Sequence, residues 1–262
     1  MPMRISVIGA GVMGEALIAA LLKAGHSAEQ IEVFEKRKER ADELVTKYSI
    51  KIGSEVSASD VVLLVTKPQD LESVLSDING KVKDGALIVS FAAGKKIATI
   101  SNGLSGKCPV VRVMPNTPTL VGKGAAGYSV GEGVTDHQKK FVVDFLNAAG
   151  ISVEVKEELQ DAVTATSGSG PAYFFAFVEA MVKGAVELGL SEEVATQLTV
   201  QTLVGAAELL QTSGKSATTL RENVTSPNGT TFAALQSFAA SDLEQIVAKA
   251  MKAARDRSIE LS

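Results

Sequence analysis

Residues 5 to 14 read Ile5-Ser6-Val7-Ile8-Gly9-Ala10-Gly11-Val12-Met13-Gly14, an apolar run that breaks directly into G-x-G-x-x-G. Gly9 permits a tight turn, Gly11 lets the backbone approach a pyrophosphate, and Gly14 lets the following helix pack close to the strand. That helix, Glu15 to Lys23, aims its N-terminal amides at the bound phosphates. The next apolar run, Ile31-Glu32-Val33-Phe34, ends on the acidic Glu35. A turn without a ligand accounts for the glycines alone. The strand before, the helix after and the acid at the end of the next strand together point to a dinucleotide.

Working outward, short β-rich runs alternate with helical stretches. The strands are read at Arg4–Ile8, Ile31–Phe34, Val61–Val65, Ala86–Ser90, Val110–Met114 and Gly124–Val130. Val61-Val62-Leu63-Leu64-Val65 and Leu87-Ile88-Val89 are continuous rather than alternating, as strands covered on both faces of a parallel sheet are. Helices are expected at Glu15–Lys23, Arg37–Lys47, Leu71–Ile78 and Asp136–Ala148. This βαβ alternation predicts an α/β half with a doubly wound, mostly parallel sheet.

After about residue 155 the strand signals stop and an all-α half follows, so the expected domains are 1–157 and 158–262. Pro171 suits a helix first turn, with Ser169 as its cap. From Ala172 to Leu188 the residues are apolar almost all round, with Glu179, Lys183 and Glu187 on one narrow stripe. Such a helix is normally buried on several sides. The remaining helices, Glu192–Gln211, Ala217–Glu222, Thr231–Ala239 and Asp242–Leu261, are too few to cover it, so a second copy of the chain is expected against it.

Composition sets the outer bounds. The 262 residues are 45% hydrophobic, which allows a sizeable core. A net charge of −4 with no long basic run argues against nucleic acid. One cysteine, Cys108, and two histidines, His26 and His137, leave no disulfide, no cysteine-held metal and no Ser-His-Asp triad. Cys108 reads as a small buried filler and the histidines as surface residues. The first strand begins almost at once, with no room for a signal peptide, and no apolar run is long enough to span a bilayer. A cytoplasmic protein is expected.

Four loops are polar or rich in Pro and Gly where strands should end, the edge at which doubly wound folds bind ligands. They are the glycine loop, Thr66-Lys67-Pro68-Gln69, Ala92-Ala93-Gly94 and Met114-Pro115-Asn116-Thr117-Pro118. The prolines make the last loop stiff enough to orient the Asn116 amide. The helical half adds Ser167-Gly168-Ser169-Gly170-Pro171 and Ser226-Pro227-Asn228-Gly229-Thr230-Thr231. The second opens a helix with hydroxyls and amides at its N-terminus, an arrangement suited to a carboxylate.

These segments, with Val113 before Met114 and Ala172-Tyr173 after Pro171, resemble pyrroline-5-carboxylate reductase in order and spacing over nearly the whole chain. The resemblance implies reduction of 1-pyrroline-5-carboxylate to L-proline with NADP(H) or NAD(H), the last step of proline biosynthesis. It implies an N-terminal Rossmann domain and an all-α C-terminal dimerisation domain, in interlocked dimers that often assemble into decamers. By the same resemblance, Gly9, Ala10, Gly11, Val12, Met13 and Gly14 hold the pyrophosphate. Thr66, Lys67 and Pro68 line the cofactor, and Ala92, Ala93 and Asn116 stand near its nicotinamide. Ser226, Gly229, Thr230 and Thr231 receive the substrate carboxylate. Thr231, as the hydroxyl nearest the reacting ring, and Lys67 are the residues assigned to catalysis.

The chain departs from the family at Asn228, where relatives usually carry glycine; asparagine is the residue next best able to take positive φ. Ser54 stands where many relatives place an asparagine near the adenosine. Cofactor choice stays open on the residues alone. Glu35 suits the ribose 2′-hydroxyl of NADH, while Lys36 and Arg37, with Lys38, suit the 2′-phosphate of NADPH, which the family commonly prefers. Two rival readings are a β-hydroxyacid dehydrogenase with Lys183 as its lysine, and a nucleotide sensor without turnover.

Overall fold

The computed structural model describes residues 3–261; Met1, Pro2 and Ser262, at the ends of the expected domains, lie outside the described residues. Two compact units emerge. The first is Met1–Pro171 with Ala253–Ser262, and the second is Ala172–Lys252.

The first unit is built on an eight-stranded sheet in the order β3-β2-β1-β4-β5-β6-β7-β8. The strands are β1 Ile5–Ile8, β2 Ile31–Phe34, β3 Lys51–Ile52, β4 Val61–Leu64, β5 Leu87–Ser90, β6 Val110–Met114, β7 Gly124–Val130 and β8 Gly150–Glu154. Every neighbouring pair is parallel except β6 and β7. The helices are α1 Val12–Lys23, α2 Lys38–Tyr48, α3 Leu71–Ile78, α4 Ile97–Gly103 and α5 Asp136–Ala148. Strand residues divide between the two faces with the period of the pleat. Val61 and Leu63 join a core with Leu17, Leu21, Leu44 and Phe145 from α1, α2 and α5. Val62 and Leu64 join a second with Leu71, Leu75 and Ile100 from α3 and α4. A continuous Val/Leu run is therefore what a central strand of this sheet requires, and the doubly wound reading holds.

The expected strands all form. β3 and β8 are additional. β3 is two residues long and exposed. β8 turns Ile151 and Val153 outward at the sheet edge, so its alternation carries no core signal. α4 was also unread, because Ser101-Asn102-Gly103 is a weak helical sequence.

Ser169 is not a helix cap. The chain is already helical at α6, Gln160–Val163, and passes through a π-turn, Thr164–Gly168, before α7, Gly170–Glu187. Ser169 has helical φ and ψ, and its N–H donates to the Thr164 carbonyl at 2.8 Å. The cause lies in Pro171, which has no N–H to offer the Ser167 carbonyl. That carbonyl accepts from Asn116 Nδ2 at 3.1 Å instead.

The second unit is helical: the body of α7, then α8 Glu192–Thr212, α9 Ala217–Asn223, α10 Thr230–Ala240 and the start of α11, Leu243–Glu260. Gly170 is the one fully buried residue of α7. Phe174, Phe175, Phe177 and Met181 are exposed, as are Leu198 and Val204 on α8. In the single chain, then, α7 is not covered in the way its composition demands. An apolar surface of this extent marks an interface. Cys108 is buried as expected. His137 is exposed, but His26 is half-buried with its ring 5.2 Å from that of Phe141.

Candidate active site

Because β1, β2, β4, β5 and β6 are parallel, their following loops all emerge at one edge of the sheet. The glycine loop, Glu35, Thr66–Pro68, Ala92–Gly94 and Met114–Pro118 are thus brought together. Gly9 has φ +89°, and a Cβ there would stand 2.6 Å from the Val65 carbonyl oxygen. At Gly14 a Cβ would strike the Gly9 carbonyl. Gly11 is different: nothing lies within 4 Å of its Cβ position, so that side of the loop is open. Gly11 is also the N-cap of α1, and no side chain caps it. The first-turn amides of Val12 and Met13 therefore have no side-chain acceptor, as an anion site requires.

The hydroxyl oxygen of Thr66 is buried and has no partner within the protein. A buried hydroxyl is normally satisfied, and one left open at a ligand-binding edge is available to a ligand. This orphan, the open face at Gly11 and the uncapped α1 fit a dinucleotide. Lys67 is exposed beside it, and Pro68 begins a short turn that leads into α3. Ala92 is buried, with its N–H on Ser90 Oγ at 3.3 Å. Ala93 is half-buried.

Glu35 lines a cleft of ≈ 800 Å³ together with Phe34, Lys36, Ser54, Val56 and Asp77. Its carboxylate reaches back to the loop, accepting from the Ala10 N–H at 3.0 Å. It also accepts from Arg37, through the backbone N–H at 3.1 Å and Nε at 3.0 Å. Burial works to raise its pKa, but the bonds from Arg37 and Ala10 outweigh it and hold the carboxyl below its usual value. Arg37 is therefore paired with Glu35, while Lys36 is exposed.

Asn116 is nearly buried, and both ends of its amide are engaged. Oδ1 accepts from the Ala125 N–H at 2.9 Å, and Nδ2 donates to Ser167. It joins the β6 loop, β7 and the π-turn.

The second unit holds the other polar segment. Asn228 has φ +57°, the conformation that asparagine was expected to supply in place of glycine. Gly229 donates its N–H to the Ser226 carbonyl at 3.0 Å and caps α10 without a side chain. A Cβ on Gly229 would strike Ser226 Oγ, so the serine hydroxyl lies over the start of α10. Ser226 and Thr230 are exposed and Thr231 is half-buried.

One residue that no sequence motif singles out supports the glycine loop. Arg40 donates Nε–H to the Ala10 carbonyl at 3.0 Å. It also pairs with Glu15, which accepts from Lys47 at 2.8 Å and Tyr48 at 3.1 Å. Chiefly Lys47, with Arg40, lowers the Glu15 pKa to about 2. Only the acidic residue one position after the last glycine hinted at this cluster.

Residues 157–261 match the family model described as pyrroline-5-carboxylate reductase dimerisation. Residues 4–94 match the one described as NADP oxidoreductase, coenzyme F420-dependent. The pyrroline-5-carboxylate reductase of Pseudomonas aeruginosa is 42% identical over 264 residues, covering 99% of this chain and 97% of its own. The chain belongs to the pyrroline-5-carboxylate reductase family. That of Haemophilus influenzae is 40% identical over 263 residues, covering 98% and 97%. Among solved structures, the pyrroline-5-carboxylate reductase of Coxiella burnetii superposes with a TM-score of 0.93 at 32% identity, covering 100% of this chain and 99% of its own. The Plasmodium falciparum pyrroline carboxylate reductase with NADP bound gives 0.87 at 30%, covering 99% and 98%.

Membership in this reductase family sets aside the hydroxyacid dehydrogenase. Its lysine, Lys183, lies exposed on α7 beside Glu179 and Glu187. Among the described residues no cluster of His, Cys, Asp and Glu could hold a metal, and no helix is long and apolar enough to cross a membrane.

Proposed function

We propose that this chain reduces the C=N bond of 1-pyrroline-5-carboxylate to give L-proline, with NADPH or NADH as the reductant, and so closes proline biosynthesis. The observation that carries this is the reach of the family likeness, through both the sheet unit and the helical unit. The residues 1–157 act as the cofactor domain and 158–262 as the dimerisation and substrate domain. The exposed apolar faces of α7 and α8 meet those of a second copy, giving an interlocked homodimer that can assemble further into a decamer. The enzyme works in the cytoplasm, on a small molecule, without nucleic acid or membrane.

In this reading the amides of Gly9 to Gly14 receive the pyrophosphate. Glu35, Lys36 and Arg37 surround the adenosine ribose. The Thr66 hydroxyl finds its missing partner on the cofactor, with Lys67 and Pro68 alongside. Ala92 and Ala93 bound the nicotinamide end, and Asn116 fixes the loop there through its two backbone bonds. The uncapped start of α10, with Ser226, Gly229 and Thr230, holds the substrate carboxylate.

The bound dihydronicotinamide supplies the hydride that the imine carbon accepts. A protonated cyclic imine is already strongly electrophilic, so the protein has mainly to bring the two rings together in the right orientation. The Thr231 hydroxyl steadies the proton on the ring nitrogen, which enters from solvent, and Lys67 supplies positive charge at the edge of the site. Hydride addition turns the charged C=N–H into a neutral C–H and N–H, with no further acid needed. The test is oxidation of NADPH and NADH that depends on 1-pyrroline-5-carboxylate and yields proline. Replacing Thr231 by Ala should lower kcat/KM for the imine and leave cofactor binding unchanged.

A further inference from the structure

Arg112, in the middle of β6, is nearly fully buried, and the chemistry above does not use it. Its guanidinium faces two carboxylates, Glu157 Oε1 at 3.5 Å and Asp161 Oδ1 at 3.9 Å. Each carboxylate has a second partner. Glu157 accepts the N–H of Ile97, the first residue of α4, at 2.6 Å. Asp161 accepts the hydroxyl of Ser258, in the last turns of α11, at 2.6 Å. Beside them the fully buried Gln160 donates to Ser129 Oγ at 2.9 Å.

The Glu157 branch ends on the loop joining β5 to α4, and the Asp161 branch ends on α11, whose last turn packs on that loop. Ile97 closes that loop at its far end. In the middle of that loop, directly after Ala92-Ala93, Gly94 has φ +76°, and a Cβ there would stand 3.2 Å from the carbonyl carbon and oxygen of Leu261 and 3.3 Å from the carbonyl oxygen of Ser258. The last turn of α11 therefore lies directly on Gly94, and Ser258 anchors that turn. A buried guanidinium paired with partly exposed carboxylates adds little net stability over apolar packing; what the pairing fixes here is the geometry of the groups it joins.

We propose that Ser258, Asp161, Glu157 and Arg112 are positioning residues for the cofactor, which hold the Ala92–Ala93 loop in shape from both sides, through the C-terminal turn of α11 and through the Ile97 N–H. This rests on the assignment of that loop to the nicotinamide end of the site. The residues touch neither substrate nor cofactor. They act through the loop, so their loss weakens cofactor binding selectively.

The experiment is a fluorescence titration of the full-length dimer with NADPH and NADH, without imine, for the wild type, Ser258→Ala and Gly94→Ala, joined to steady-state kinetics. Loss of one hydrogen bond should raise Kd and KM for the cofactor about fivefold in Ser258→Ala. KM for the imine and the sedimentation of the dimer should stay at wild-type values. Gly94→Ala should show the same signature by displacing the turn. Wild-type cofactor affinity in both folded variants would overturn the proposal. If the wild type bound neither cofactor, the assignment of the loop would fall, and the proposal with it. Binding by the wild type with no change in the variants would remove the positioning role alone.

Discussion

Arg40 Nε donates to the Ala10 carbonyl at 3.0 Å, so a side chain of α2 fixes the middle of the glycine loop from behind. Without it the loop keeps its glycines but loses its brace. Arg40→Ala should raise the cofactor KM about tenfold, as the loss of a charge-assisted bond does, and leave the imine KM unchanged. Titration with each cofactor and steady-state kinetics check this.

Glu15 makes the same cluster pH-sensitive. Folding lowers its pKa from 4.5 to about 2. The ionised carboxylate therefore stabilises the fold fully above the unfolded value, and that contribution is lost as pH falls from there through the folded value. Glu15→Gln should cost about 1–2 kcal/mol at neutral pH, allowing for solvent screening of Lys47. Denaturant curves of wild type and variant should converge in strong acid, where both side chains are neutral.

In the proposed reading, Glu35 borders the adenosine ribose and sets which cofactor is accepted more readily. Its carboxylate, held ionised by Arg37 and Ala10, lies at the end of β2, where a ribose 2′-hydroxyl is welcome and a 2′-phosphate is repelled. Glu35→Gln removes the charge and releases Arg37. The ratio of kcat/KM for NADPH to that for NADH should rise about tenfold.

The apolar faces of the helical unit predict dependence on a second copy. Phe175 and Leu198 are 61% and 58% exposed in the single chain. A charge placed there would be buried without a partner in the dimer, at a cost of several kcal/mol. Phe175→Glu and Leu198→Glu should sediment as monomers and lose most activity.

The sheet was legible because its central strands are buried on both faces, so runs such as Val61–Val65 admit little else. The glycine loop was legible because Gly9 and Gly14 are required by the close approach of backbone, while Gly11 leaves an open face at the start of α1. β8 was not, since Ile151 and Val153 face outward. The π-turn before α7 was not, because Pro171 normally opens a helix; only the distant Asn116 amide satisfies the carbonyl that Pro171 frees. Arg40 and Arg112 carry no local signal for the same reason. Their partners lie far away in sequence, and no local spacing announces them.

In the proposed reaction the chain moves a hydride from the nicotinamide to the ring carbon of the imine. Incubation with 1-pyrroline-5-carboxylate and reduced cofactor deuterated at C4 of the transferred face tests it directly, by mass spectrometry and NMR of the product. The expected product is L-proline carrying a single deuterium on ring carbon 5. Cofactor that binds but stays reduced, or proline that carries no deuterium, would contradict it.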